Sequence, residues 1–204
     1  MNKPTLSRPH FVRFATIITG VVVVLIAGAY LAASQLNPIP ALVQNVRQDT
    51  VIETFPDVDN TSLSDTQQKI VALLKQEYAA QPAGTKYADG VEESWCADFV
   101  SWIMRESGIP LENPNSGSWR IPGVYTLEEY YRSVGRFKEP GYQPQVGDVV
   151  MYNNPSPFGQ HTNIVIANNN GEVTTVGGNE YGKIHIQVHN DANDPGLVGY
   201  GILQ

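Results

Sequence analysis

The chain has 204 residues, room for one membrane-length segment and one domain of ordinary size, and a formal net charge of −7 from 20 acidic and 13 basic residues. Every acidic residue lies beyond residue 33, whereas Lys3, Arg8 and Arg13 precede residue 14. The part beyond residue 33 is therefore acidic and carries no basic stripe to neutralise phosphates, which disfavours nucleic-acid binding, and a single cysteine excludes an internal disulfide.

Residues 14–33 carry no charge, and at ~1.5 Å per residue they match a hydrocarbon core of ~30 Å. With cations before this run and acids only after it, residues 1–13 are expected to stay cytoplasmic, 14–33 to form a transmembrane signal anchor, and the rest to be exported. Ala27-Gly28-Ala29 offers the alternative of a cleaved, secreted form. Ser34 stands where a lipidated cysteine would be needed, which argues against a lipid anchor. Residues 34–63, with Asn37-Pro38-Ile39-Pro40 and a polar run, read as a stalk or linker, and 64–204 as the domain.

Ser64-Asp65-Thr66-Gln67 is a capping-box pattern opening a helix. Ile70, Leu73, Leu74 and Tyr78 repeat along it at helical spacing, with Lys75 and Glu77 placed off that face, and Gln81-Pro82-Ala83-Gly84 ends it. A second helix is expected from about Trp95 to Ser107, closed by Gly108 with Pro110 beyond. Thr126-Leu127-Glu128-Glu129 is another capping box, opening a short helix to about Val134. The texture then changes to strands over 146–152, 162–167, 172–176, 183–188 and 198–203, separated by Asn-Pro and Asn-Gly turn signals. Helices followed by adjacent strands predict an α+β domain with helices packed on an antiparallel sheet or small barrel.

Cys96 falls in the first turn of the second helix, where unpaired N–H groups and the positive end of the helix dipole favour a thiolate, the nucleophilic form. It also shares a helical face with Phe99, Val100 and Ile103, the pattern of a small core residue. Of the histidines, His10 precedes the membrane run, and His185 and His189 alternate with Ile184, Ile186 and Val188, which reads as a solvated strand face. His161 follows the loop Asn153–Gln160 and precedes the apolar run Ile164-Val165-Ile166, a strand-mouth position suited to a general base. A cysteine–histidine pair needs a third polar group to orient the imidazole, and Asn179 and Glu180 follow the next strand.

Trp95-Cys96-Ala97-Asp98-Phe99-Val100-Ser101-Trp102, Pro144-Gln145-Val146-Gly147-Asp148-Val149-Val150, His161 before Ile164-Val165, Gly178-Asn179 and Val198-Gly199-Tyr200-Gly201, in that order, resemble a CHAP domain over about residues 67–204. The resemblance implies a papain-like α+β fold related to NlpC-type hydrolases, with no cofactor or metal. It also implies cleavage of an amide bond in peptidoglycan, either N-acetylmuramoyl-L-alanine or a bond within the peptides. It carries Cys96 over as nucleophile, His161 as base and Asn179 as the third member, with Glu180 as the alternative. The expected partners are the peptidoglycan peptide, the membrane through the N-terminal helix, and a restraining protein that no motif identifies. Trp95, Trp102, Trp119 and Tyr130-Tyr131 are available either to line a groove or to pack. Two other readings stand beside the hydrolase. One is a catalytically degenerate wall-binding or assembly protein, motivated by Gly177, where many members of the family carry glutamate. The other is an amide hydrolase serving secretion or conjugation.

Overall fold

A computed structural model describes residues 50–51 and 53–203. The expected cytoplasmic segment 1–13 and membrane span 14–33 lie outside the described residues. Among the described residues no helix is long and apolar enough to cross a membrane.

Helix α1 spans Asp65–Ala80 and starts where the capping box predicts: Ser64 accepts from the Gln67 N–H, and the Gln67 side chain accepts in return from the Ser64 N–H at 2.9 Å. Its buried face is Ile70, Val71, Leu74 and Glu77. The expectation that Glu77 lies off that face is corrected, since residues 70, 74 and 77 are helical neighbours. Its buried carboxylate is matched by Lys86 Nζ at 2.5 Å and the Tyr87 hydroxyl at 2.7 Å.

Helix α2, Cys96–Glu106, buries Phe99, Val100, Ile103 and Met104 almost completely, each burial stabilising by about 1.5–3 kcal/mol. It ends at Ser107, with Gly108 at φ 90° and the Ile109 N–H reaching back to the Met104 carbonyl at 3.0 Å. Helix α3 spans Val124–Ser133 and begins two residues before the capping box predicted at Thr126; its N-cap is Gly123, with no side-chain cap. The apolar face decides the start, because Val124, Leu127 and Tyr131 must lie along one side to bury.

Among the described residues the strands β1 (Thr50–Val51), β2 (Phe137–Lys138), β3 (Val149–Tyr152), β4 (His161–Asn169), β5 (Glu172–Glu180), β6 (Lys183–Asn190) and β7 (Leu197–Gly201) form one antiparallel sheet. The order is β1-β6-β5-β4-β3-β7-β2, an open sheet rather than a barrel. The short strands β1 and β2 cap its two edges. β1 falls within the stretch expected as a linker, yet pairs with Gln187 and Val188; Tyr78 also donates to the Glu53 carbonyl at 2.8 Å, and Phe55 and Val58 pack on the core. The end of that stretch is thus joined to the domain.

One sheet face, with Val149, Met151, Ile164, Val176, Ile184 and Ile186, packs against the helices in the main core. The opposite face carries a smaller core of Val150, Tyr152, Val165, Val173 and Tyr200, with Tyr142, Phe158 and Leu197 laid against it. Asp191 accepts from the Tyr152 and Tyr200 hydroxyls there, both at 2.8 Å. This face is not the solvated surface that alternation suggests: His189 is buried, its Nε2 2.9 Å from Asp194 Oδ2, and His185 is half-buried. Loops supply the cover that a helix supplies on the other side.

Candidate functional site

Cys96 is the first residue of α2, and no side chain caps that helix start. Trp95, the residue before it, is held by stacking on Tyr87, with ring centroids 5.3 Å apart. The indole also lies against Gly84 and Gly178, where a β-carbon would strike it. Gly178 belongs to β5, so the missing side chain is what lets the strand end close on the first turn of α2. Hence the helix start, with Cys96 on it, meets the end of the sheet where β4 begins.

His161 opens β4 and pairs with Tyr152 of β3. Phe158, from the loop before it, lies nearly parallel to the imidazole at 24°, with centroids 6.1 Å apart. That loop is fixed from below. Ser156 Oγ donates to Asp194 Oδ2 at 2.6 Å and accepts from the Phe158 N–H at 3.2 Å, while Asp194 Oδ1 accepts from the Gly196 N–H at 2.7 Å.

Cys96, His161 and Glu180 are all buried, and His161 lies between the other two. Its Nε2 is 3.3 Å from Glu180 Oε1, and Cys96 lies close enough to raise its pKa. With Nε2 facing the carboxylate, Nδ1 is the nitrogen left for the sulfur. Burial disfavours the charged imidazole, but the hydrogen bonds to Cys96 and then to Glu180 outweigh it and push the His161 pKa up to about 9.

The group beside His161 is thus Glu180, not Asn179. Asn179 is half-buried, has φ 64°, and makes no hydrogen bond to His161 among the described contacts. The reason is a shift of register in the β5–β6 pair: Gly177 opposes His185, but Glu180 opposes Lys183, so β5 holds one extra residue between them. Val176 packs in the helix-side core, and a β-carbon on Gly178 would meet Trp95 and Phe99 of that core. Strict alternation would then turn Asn179 to the opposite face and Glu180 to the helices. The extra residue reverses this, and Glu180 comes round to the face of His161.

Glu180 is held there on both oxygens. Oε1 accepts from Asn163 Nδ2 at 3.2 Å, and Asn163 also donates to Thr175 Oγ1 at 3.0 Å. Oε2 accepts from Gln187 Nε2 at 2.7 Å, with His185 Nδ1 at 3.8 Å. A β-carbon at Gly177 would collide with both Asn163 Oδ1 and Glu180 Oε1. Gly177 therefore makes room for this carboxylate. Asn163 and Gln187 were invisible to a search for catalytic residue types; the Gly177-Gly178 pair inside a strand was the available signal of a bulge.

Asp98, in the first turn of α2, is fully buried, with Oδ1 2.8 Å from Arg120 Nε, and Arg120 also pairs with Glu93. Ser101 joins the same loop to α2 through the Ile121 N–H at 3.2 Å. Of the aromatic residues considered for a groove, Trp95, Tyr130 and Tyr131 are core residues, while Trp102 and Trp119 are half-buried beside Lys86 and Arg105. Among the described residues no group of three His, Cys, Asp or Glu is arranged to hold a metal ion.

A comparison with curated proteins and one with solved structures each found no match. CHAP domains are typically cysteine- and histidine-dependent amidohydrolases or peptidases, with peptidoglycan as the implied substrate. Residues 86–179 match the family model of the CHAP domain, the family that the motifs resemble; the matched segment holds Cys96 and His161 and stops one residue short of Glu180.

Proposed function

We propose that this protein is a cysteine hydrolase that cuts an amide bond of peptidoglycan, with Cys96 as nucleophile, His161 as general base and acid, and Glu180 as the group that orients His161. The observation that carries the reading is the single imidazole set between a thiol and a buried carboxylate. An imidazole that stays protonated to about pH 9 is the counter-ion that a thiolate needs at neutral pH.

The sulfur attacks the amide carbonyl and forms a C–S bond. The oxyanion that develops is met by backbone N–H groups at the uncapped start of α2, the Cys96 N–H foremost. As the C–N bond breaks, His161 gives its proton to the leaving amine. Water then attacks the thioester, His161 accepts its proton, and the C–S bond breaks to return the free thiol. Glu180 keeps one tautomer and one orientation throughout, as a carboxylate partner does for a catalytic histidine.

The non-catalytic reading rested on Gly177. Here Gly177 is the space into which Asn163 and Glu180 fit, so the missing glutamate is answered by another carboxylate three residues on. Residues 14–33 act, in this proposal, as an uncleaved anchor that keeps the domain outside the cytoplasm, next to the wall; membrane fractionation with external protease would detect an exposed domain and a membrane-bound remnant. The decisive experiment is digestion of purified sacculi with the wild type and Cys96→Ala, with released fragments weighed by mass spectrometry. Fragment masses distinguish cleavage next to the sugar from cleavage within the peptides. Equal release by both proteins ends the reading.

A further inference from the structure

β5 and β6 are joined by the two-residue turn Tyr181-Gly182, both at positive φ, 53° and 75°. This is the backbone of a mirror-image hairpin turn, which matches the twist of paired strands and which Asn-Gly or Asp-Gly fills with least strain. A bulky residue at the first position is an outlier, because its β-carbon crowds the backbone. The Glu180–Lys183 strand pair holds the turn closed, but the side chain of Tyr181 adds little to it. Tyr181 is 94% exposed, the most exposed of the large hydrophobic side chains described, and its ring has a single described ring neighbour, His185, with centroids 6.2 Å apart. Its hydroxyl has no hydrogen bond among the described contacts. The residue immediately before it is Glu180, whose carboxylate meets His161. A strained, exposed aromatic ring thus stands beside His185, whose Nδ1 is 3.8 Å from Glu180 Oε2, and stored backbone strain commonly accompanies function.

We propose that Tyr181 is a substrate-binding platform whose ring stacks on a sugar ring of the wall polymer. The inference rests on the hydrolase reading for its substrate class and adds a subsite to it. A phenol ring presents a flat apolar face with a polar tip, which suits the C–H face of a pyranose and its surrounding hydroxyls. The contact is neutral, so it is compatible with a protein of net charge −7 in a way that gripping the carboxylates of the wall peptides is not.

The test uses the full chain with Cys96→Ala, which holds substrate without turnover, and compares it with the same chain carrying Tyr181→Asn. Asparagine suits the turn, so the variant should melt at a higher temperature. Its retention on purified sacculi should nevertheless weaken by about three- to tenfold. Tyr181→Trp should restore retention. Peptide-free glycan strands should compete with retention of the parent and have little effect on the asparagine variant. In otherwise wild-type protein, iodoacetamide should alkylate Cys96 at the same rate with either residue at 181, showing that the reactive centre is intact. Unchanged retention of Tyr181→Asn overturns the proposal, as does competition by free stem peptide in place of glycan. Failure of the wild type to release any fragment sinks the hydrolase reading, while the retention arm still decides the role of Tyr181.

Discussion

Glu180 Oε1 lies 3.3 Å from His161 Nε2, and it reaches that position because β5 gains a residue at the bulge that contains Asn179. Two substitutions therefore separate the neighbours. Glu180→Gln keeps the volume but loses the charge and can present an N–H to Nε2, favouring the wrong tautomer. It should lower kcat/KM on sacculi by about 10²–10⁴-fold, the range of positioned acid–base catalysis. Asn179→Gly, which accepts φ 64° without strain, should stay within about threefold of wild type. A large loss from the glycine variant with little from the glutamine variant would return the third position to Asn179.

The His161 pKa gives a prediction with a definite sign. The folded value, about 9, lies above the 6.5 of an unperturbed histidine. Below about pH 6.5 the imidazole is charged in both states and its contribution to stability is fully present; it is lost as pH rises through 9. In the proposed reaction the same proton goes to the leaving amine, so the rate of the acylation step should fall above about pH 9. Cys96 is the larger raising influence and Glu180 the next. An NMR titration of the His161 ring should therefore show a lower midpoint in Cys96→Ala, and a lower midpoint by a smaller amount in Glu180→Gln. A midpoint that stays put in both variants would mean that neither group touches the imidazole.

Most elements were legible because their signals are local and periodic. The capping box at Ser64, the apolar stripe of α2 and the β-branched runs of the sheet each correspond to an observed element. What was not legible depends on partners far away in the chain. Glu77 looks like a solvent residue until Tyr87 and Lys86 are placed beside it. Thr126 has the same capping pattern as Ser64, yet packing of Val124 draws the helix start past it. Cys96 belongs to the main core and also lies close enough to His161 to raise its pKa, so burial does not set the two sequence readings against each other. Which of Asn179 and Glu180 lies beside His161 depends on a one-residue change of strand register, which alternation alone cannot reveal.

The adjacent glycines of β5 should respond differently to the same added methyl group. At Gly177 the new β-carbon would meet Asn163 Oδ1 and Glu180 Oε1, the far ends of two flexible side chains. They can yield, at the cost of the Glu180–His161 contact. Gly177→Ala should thus lose less stability than the same change at Gly178, but lose activity to about the extent of Glu180→Gln. At Gly178 the β-carbon would meet the Trp95 ring and Phe99 Cβ and Cγ inside the core. Gly178→Ala should destabilise by about 1–3 kcal/mol, the typical cost of overpacking. Thermal melts and sacculus digestion on the two variants give the comparison; an equal loss of stability in both would show that the Gly177 side of the strand is as rigid as the core.

The clamp beneath the His161 loop supplies a last expectation. Ser156 Oγ bridges Asp194 and the Phe158 N–H in a buried setting, and Phe158 lies over the imidazole. Removing the hydroxyl leaves a buried acceptor and a backbone donor with one partner fewer, a loss of about 1–3 kcal/mol for such groups. Ser156→Ala should lower stability by that amount, measured by urea unfolding. Because the loop then holds Phe158 less firmly against the imidazole, kcat should fall while KM changes little. Ser156→Thr, which keeps the hydroxyl, should recover most of kcat. Recovery of stability without recovery of kcat would mean that the clamp supports the fold alone and that the imidazole is positioned by Glu180 and Cys96 without it.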